Sequence, residues 1–354
     1  MEEHITEKAA GKSLLEHLRQ HGFPDISLAD AEHPVQRLGG GYCRDCFKVA
    51  TDKGDFVITF FTFNWQRQTV DYINSFVSHL GANDCSIVPP IGPFGKTDKQ
   101  TAFEVMPFVE GQVEKSPSLF QIERLGTELG KIHKASNSFE YATDSGNANT
   151  LRGWVKLGTR HGQKILIGSE YAGTSYFKGN LPDLAKNSVA VFESLLQRKK
   201  LPQGVIHGDM NRHNVLWQGD KPVLLDFERT RPSDFLYEVA KAIQEFIVIP
   251  SLEKGKSDYK DKVGAFLNAY HTQRPFTDQE METLPTMLRL HAILAAVKQS
   301  AMGMGRRYPA LPQGAMLQTE TDRLVKTDFK SLLDTPTVPN ETYRTATPAT
   351  ARYF

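Results

Sequence analysis

Apolar residues mark out a helix, then a run of strands, then a series of helices. Leu14, Leu15 and Leu18 share one face of a short helix over residues 12–22. From Val35 to Phe61 the chain reads as strands. Leu38-Gly39-Gly40-Gly41-Tyr42 is a glycine-rich turn, Cys46-Phe47-Lys48-Val49 alternates, Asp52-Lys53-Gly54-Asp55 is a hairpin turn, and Phe56 to Phe61 is a buried strand. Trp65, Thr69, Ile73, Phe76 and Leu80 recur at helical spacing and predict an amphipathic helix over 65–80. A further strand runs from Thr101 to Phe108.

Pro107 and Gly111 punctuate the exit from that strand, so a first unit is expected over 1–106 and a second over 107–334. The second unit opens with a helix from Ser118 to Ala135, carrying Leu125, Leu129 and Ile132 on one face. Residues 139–150 read as a polar loop, and 151–167 and 184–196 as helices. Pro232-Ser233-Asp234 is expected to start another helix, with Leu236, Val239, Ile243 and Phe246 at helical spacing. Helices near 259–270 and 278–303 follow. Residues 335–354 are rich in Thr and Pro, too poor in apolar residues to fold alone, and are expected to be a tail.

Between these helices lies the stretch with the most chemistry. Val205-Ile206 is a short apolar strand, His207-Gly208-Asp209-Met210-Asn211-Arg212-His213-Asn214 a polar loop, and Val215-Leu216 and Pro222 to Leu225 two apolar runs joined by the turn Gln218-Gly219-Asp220-Lys221. The last run ends on Asp226, with Phe227 and Glu228 behind it. Strand ends and a tight loop would deliver Asp209, Asn214 and Asp226 to one place. An Asp that accepts a hydroxyl proton, with an Asn and an Asp that hold a hard divalent cation, is the minimum kit for moving a phosphoryl group from ATP. A surface hairpin with incidental polar residues is the plain alternative.

The 354 residues carry a formal net charge of +1, with 40% hydrophobic and 23% charged residues. There is no global field to draw in nucleic acid or an acidic membrane, and neither is expected as a partner. The polar Met1-Glu2-Glu3-His4 start does not read as a signal peptide, and no apolar run approaches the length of a bilayer. Three cysteines cannot build a disulfide framework, and a cytoplasmic location is expected. Cys43-Arg44-Asp45-Cys46 lacks the second ligand pair that a zinc site would need. His133 lies on a helix, where a packed histidine is the usual case.

The spacing His-x-Asp-x4-Asn followed by a strand ending in Asp-Phe resembles the catalytic and metal loops of protein-kinase-like folds. His-Gly-Asp in place of His-Arg-Asp, and Asp-Phe-Glu in place of Asp-Phe-Gly, resemble the aminoglycoside and choline kinase branch. Several segments together resemble the homoserine kinases of aminoglycoside-phosphotransferase type. They are Gly54 to Thr59, Gly204 to His207, Arg212 to Leu216, Leu225-Asp226-Phe227, Leu236-Tyr237-Glu238-Val239-Ala240, Arg274-Pro275-Phe276-Thr277 and Met287-Leu288-Arg289. The likeness runs over roughly residues 35 to 305.

That resemblance implies an α+β, bilobal protein-kinase-like fold with a small antiparallel-sheet N-lobe and a larger, mostly helical C-lobe. It implies ATP and Mg2+, and a hydroxyl-bearing small metabolite, homoserine or a related amino acid, as acceptor. An aminoglycoside or amino-alcohol phosphotransferase, or a non-catalytic nucleotide-binding protein, are the alternatives. Asp209 would be the base and His207 would brace the loop. Asn214 and Asp226 would hold the metal, and Glu228 would hold a second metal ion through water or sit in a salt bridge. The adenine edge would meet backbone near Met106 and Phe108, and Gly39, Gly40 and Gly41 would let backbone approach the phosphates. Arg152, Trp154, Arg160 and Arg212 are acceptor-site candidates. Thr59 stands where most kinase-like folds carry a strand lysine, so either Arg44, Lys48 or Arg67 substitutes or activity is lost. The Asn-rich segment usual after the glycines is absent, and Glu238 stands where the resembled family has Asp.

Overall fold

The computed structural model describes residues 7–41, 44–61, 67–92, 95–96, 102–140, 201–255, 259–301 and 321–333. The expected helices at 151–167 and 184–196, and the tail, lie outside them. The chain forms two compact units. One contains the chain up to Gln112 together with Val223–Leu225. The other contains the described residues of Val113–Pro222 and Asp226–Pro348. Among the described residues no helix is long and apolar enough to cross a membrane.

The first unit is built on a five-stranded antiparallel sheet in the order β1-β2-β3-β5-β4. Its strands are β1 (Val35–Gly41), β2 (Arg44–Thr51), β3 (Gly54–Phe61), β4 (Gly95–Lys96) and β5 (Ala102–Pro107). Helices α1 (Glu7–Gln20) and α2 (Arg67–Ala82) accompany it. Alternation sends Phe56 and Ile58 of β3, Phe103 and Val105 of β5 and Val49 of β2 into one core with Leu14, Leu15 and Leu18 of α1. Each such side chain contributes roughly 1.5–3 kcal/mol by leaving water. The β2–β3 turn is fastened by Thr51, whose Oγ1 donates to the Gly54 carbonyl at 2.6 Å and accepts from the Lys53 N–H at 3.1 Å.

Two expectations shift here. Gly39, Gly40 and Gly41 belong to β1 rather than to a turn, pairing as Gly40 with Asp45 and Gly41 with Arg44 after a register irregularity beyond Arg37. Helix α1 begins at Glu7, five residues before the first leucine pair suggested, because its first turns carry no apolar stripe.

The second unit is mostly helical. Helix α3 (Leu119–Ser136) starts at a capping box: Ser118 Oγ accepts from the Gln121 N–H, and Gln121 Oε1 accepts from the Ser118 N–H. It packs closely on α6 (Tyr259–Gln273). Gly126 and Gly130, one turn apart, present bare backbone to Phe266 and Tyr270, and a Cβ at Gly130 would lie 2.9 Å from the Tyr270 carbonyl oxygen. Strands β6 (Gln203–Ile206) and β9 (Arg231–Asp234) pair antiparallel, and β7 (Val215–Gln218) and β8 (Lys221–Leu224) form a hairpin. Helix α4 (Phe235–Ile243) runs through a π-helical turn, Gln244–Val248, into α5 (Ile249–Glu253); α7 (Asp278–Ala301) and α8 (Phe329–Leu333) follow.

Pro232-Ser233-Asp234 does not open a helix. Those residues are β9, with Pro232 opposite Val205, and the helix begins at Phe235. The strand pair sets the loop that leaves β6 beside the chain that leads from Asp226 into α4.

Asp234 is 2% exposed, and its carboxylate accepts from Gln203 at 2.8 Å. Burial, with Glu280 adding, pushes its pKa up to about 6 from the ordinary 3.8, against the opposing pull of Gln203. The folded chain therefore keeps a proton that the unfolded chain releases. The stability linked to that proton is present below pH 4 and lost as pH rises through 6. Asp234→Asn should raise the Tm at pH 7.5, by on the order of 1–3 kcal/mol in stability, and the gain should fade by pH 4. Thermal unfolding across that range checks it, and a gain that persists undiminished at pH 4 would contradict it.

Candidate active site

The loop after β6 is held from beneath by one buried carboxylate. Glu238, on the first turn of α4, is 1% exposed. Its Oε2 accepts from the His207 N–H at 3.0 Å and its Oε1 from the Gly208 N–H at 2.6 Å. His133 Nε2 lies 3.0 Å from the same Oε2, and His133 Nδ1 lies 2.7 Å from the Tyr270 hydroxyl. Burial holds His133 below the ordinary imidazole range, so the neutral ring donates to Glu238 and accepts from Tyr270. The Tyr270 hydroxyl in turn accepts from Arg274 at 3.1 Å. Burial raises Glu238, but His133, His207 and the Gly208 N–H outweigh it and keep the carboxylate ionised.

Gly208 has φ of +84°. A Cβ there would collide with the Arg229 carbonyl, and the Arg231 guanidinium donates to the Gly208 carbonyl at 3.2 Å. The glycine in His-Gly-Asp is thus required both by conformation and by close approach. His207 is fully buried, its ring packs on Phe227 with centroids 4.4 Å apart, and its Nδ1 accepts from the Asp209 N–H at 3.2 Å. The ring therefore joins the loop to the segment just after Asp226.

Asp209 and Asn214 meet directly. Asn214 Nδ2 donates to the Asp209 carbonyl at 2.9 Å and reaches its carboxylate Oδ2 at 3.5 Å. Lys241 Nζ donates to Asp209 Oδ1 at 2.6 Å, and Arg229 Nε lies 3.7 Å from Oδ2. Burial raises the Asp209 pKa; the charge and hydrogen bond of Lys241, then Arg229 and His207, overcome it and bring the carboxyl down to about 2.

Asp226 sits in the left-handed region, φ 66° and ψ 66°, at the head of the 3-10 turn Phe227–Arg229. Its Oδ1 and the Oε2 of Glu228 are shielded from solvent. Arg229 Nε also lies 3.9 Å from Glu228 Oε1, so Arg229 spans the two acids. Among the described residues, no three of His, Cys, Asp and Glu form a metal cluster. The oxygen donors on these segments that could hold a divalent cation are the carboxylates of Asp226 and Glu228 and the amide of Asn214. Few protein oxygens, with phosphate and water completing the shell, suit Mg2+.

Other expected site residues are placed as follows. Arg212 makes a forked pair with Glu253, at 2.8 and 3.1 Å, and donates to the Lys115 carbonyl at 2.9 Å. Lys48 is paired with Asp55 at 2.7 Å and lies over the Phe108 ring. Thr59 is buried in β3, its hydroxyl 3.5 Å from Cys46 Sγ. Met106 pairs with Val57, and the Phe108 N–H donates to the Asp55 carbonyl at 2.8 Å. Arg44 is in β2 opposite Phe61, and Arg67 begins α2. Arg152, Trp154 and Arg160 lie outside the described residues. Sequence reasoning gave Lys241, Arg229 and Arg231 no part in the site. The available signal was spacing: Glu238 and Lys241 are three apart and share a helix face.

A family model described as "Phosphotransferase enzyme family" matches residues 34–276. Homoserine kinase from Methylocella silvestris is 25% identical over 260 residues, covering 71% of this chain and 75% of the relative. Homoserine kinase from Rhodopseudomonas palustris strain BisB5 is 26% identical over 254 residues, covering 69% and 71%. Among solved structures, amicoumacin kinase in complex with AMP-PNP, Ca2+ and Ami aligns with a TM-score of 0.59 at 13% identity, over 96% of this chain and 98% of that one. The microcompartment-associated aminopropanol kinase aligns with a TM-score of 0.59 at 12% identity, over 90% and 98%. The fold is that of these kinases, with an N-terminal antiparallel sheet and a helical C-terminal region. A model that spans most of the chain and contains Asp209, Asn214 and Asp226 places this protein in the phosphotransferase enzyme family.

Proposed function

We propose that the protein is an ATP- and Mg2+-dependent kinase that phosphorylates a hydroxyl of a small metabolite, homoserine or a closely related amino acid. The observation that carries this is Asp209: an acid whose backbone carbonyl accepts from Asn214, on a loop whose backbone is clamped by a buried acid. The acceptor class is supported by the homoserine kinases at 25–26% identity.

In this reading Asp209 orients the acceptor hydroxyl and takes its proton. The bond from that oxygen to the γ-phosphorus forms as the bond to the departing diphosphate breaks. A base with a pKa near 2 suits a loose transition state, in which the proton leaves late and the carboxylate chiefly positions. Asp226, Asn214 and Glu228 would hold Mg2+, which supplies charge neutralisation at the phosphates. His207 acts as a brace, since its Nδ1 is spent on the Asp209 N–H. Glu238 is a positioning residue. The adenine edge is assigned to backbone near Met106 and Phe108, and the phosphates to the backbone of Gly39–Gly41. The segment to residue 106 forms the nucleotide-covering lobe and 107–334 the catalytic one. Thr59 favours a second reading, nucleotide binding without transfer.

Three measurements test the proposal. An acceptor panel of hydroxyl amino acids, amino alcohols, sugars and aminoglycosides should show ATP-dependent transfer to an amino acid; nucleotide binding without transfer to any would favour the second reading. Asp209→Asn should lower kcat by on the order of a hundredfold or more while nucleotide affinity holds. Asp226→Ala should abolish the Mg2+-dependent part of the nucleotide-induced thermal shift, and an undiminished shift would remove Asp226 from the metal site.

Glu238→Gln replaces one acceptor oxygen by an NH2 group that faces at least one N–H donor. It should cost kcat at least about tenfold with a smaller change in KM for ATP. Glu238→Asp, which keeps the charge, should recover part of the loss. Equal damage from both variants would point to a packing role instead.

A further inference from the structure

The base is covered by cations, and the cover raises a question of access. Lys241 Nζ holds Asp209 Oδ1 at 2.6 Å, while Arg229 and Asn214 flank Oδ2 at 3.7 and 3.5 Å. A hydroxyl that takes Asp209 Oδ1 competes with Lys241, and one that takes Oδ2 competes with Arg229 and Asn214. Oδ1 is the oxygen held by a flexible, singly bonded ammonium, and a four-carbon stem lets that group swing.

Displacing Lys241 has a cost. Its side chain is 19% exposed, and among the described residues its one ion pair is with Asp209. Glu238, one turn earlier, is committed to the loop N–H groups and His133. His291 Nε2 bonds the Tyr237 carbonyl at 2.8 Å, and the imidazole is kept neutral by burial first and then by Lys241 and Arg231. Arg231 lies across Tyr237 and donates to the Gly208 carbonyl. Lys241 and Arg229 thus flank one carboxylate, with Arg231 on the backbone of the same loop. An ammonium stripped of its partner in such a setting is strongly disfavoured unless another anion takes it.

We propose that Lys241 selects the acceptor: it exchanges Asp209 Oδ1 for a carboxylate on the substrate, so the hydroxyl reaches the base only when the acceptor brings its own negative group. Arg229 adds to the attraction for that group. The inference rests on the kinase reading above and assigns its specificity to a residue of α4. A purely cationic acceptor, an amino alcohol or an aminoglycoside, would leave Lys241 unpaired and add like charge beside it.

The test uses substrate pairs that differ in the carboxylate alone: L-homoserine with 3-aminopropan-1-ol, and L-serine with ethanolamine. Wild-type enzyme should favour the carboxylate member of at least one pair by on the order of a hundredfold in kcat/KM. Lys241→Met should collapse that ratio to within about tenfold of unity, and Lys241→Arg should retain most of it. An unchanged ratio in Lys241→Met overturns the proposal, as does a wild type that favours the amino alcohols or phosphorylates no member of either pair. Thermal unfolding of each variant shows that it is folded; if Lys241→Met is not, Lys241→Gln gives the same comparison. Acceptor-independent ATP hydrolysis, compared between wild type and Asp226→Ala, separates the failures. Where the substrate pairs fail, hydrolysis lost in Asp226→Ala keeps the nucleotide reading while the Lys241 assignment falls, and a wild type with neither hydrolysis nor transfer loses both.

Discussion

The site depends on a buried carboxylate that accepts from two consecutive backbone N–H groups. Glu238 reaches His207 and Gly208 from α4, and both its oxygens are used. Charge-assisted bonds of this kind are worth roughly 1.5–3 kcal/mol each, and removing one partner of a buried charge costs more than the bond itself gives. The start of the loop is therefore held through its backbone N–H groups. Behind Glu238 the bonds continue through His133 and Tyr270 to Arg274, which pairs with Glu280 at 3.0 Å. Helices α3, α4 and α6 are joined at a single acid, so the catalytic loop rests on the helical core.

That support explains the geometry two residues further on. With His207 and Gly208 held, the Asp209 N–H meets His207 Nδ1 and Asn214 closes on the Asp209 carbonyl. The carboxylate then has little freedom, and its pKa near 2 follows from cations fixed around it despite its burial. A strong base would gain little in a transition state where the phosphoryl group is nearly free. A firmly ionised, oriented carboxylate fits that demand, and the cations keep it ionised.

The sequence carried much of this in local form. Period-two alternation around Phe56 and Phe103, and the helical spacing of Leu125, Leu129 and Ile132, were enough for the sheet and for α3, because each pattern reports burial of one face. The loop from His207 to Asn214 and the strand before Asp226 were legible from polar residues between apolar runs. Three things were not. The glycines of β1 look like a turn because glycine has weak strand preference, and only pairing with β2 makes them a strand. Pro232 looks like a helix start, whereas β6 recruits it as a strand partner. Lys241 carries no motif at all, since its place beside Asp209 comes from the fold and only its spacing from Glu238 hints at it. The segment that holds Arg152 and Arg160 lies outside the described residues.

The exchange of Arg for Gly in the loop connects these observations. Where a protein-kinase-like loop reads His-Arg-Asp, this chain has His-Gly-Asp, and the space above Gly208 is taken by the Arg229 carbonyl and the Arg231 guanidinium. The positive charge is not lost but comes from the opposite side, from the segment after Asp226 and from α4. Cations on a catalytic loop would be tied to the base throughout the reaction. Cations arriving on separate elements, one of them on a flexible stem, can hold the base and also answer to the charge of whatever approaches it. The glycine that lets the backbone of Arg229 pass close to the loop thus goes with cations, Lys241 and Arg229, that reach Asp209 from outside it.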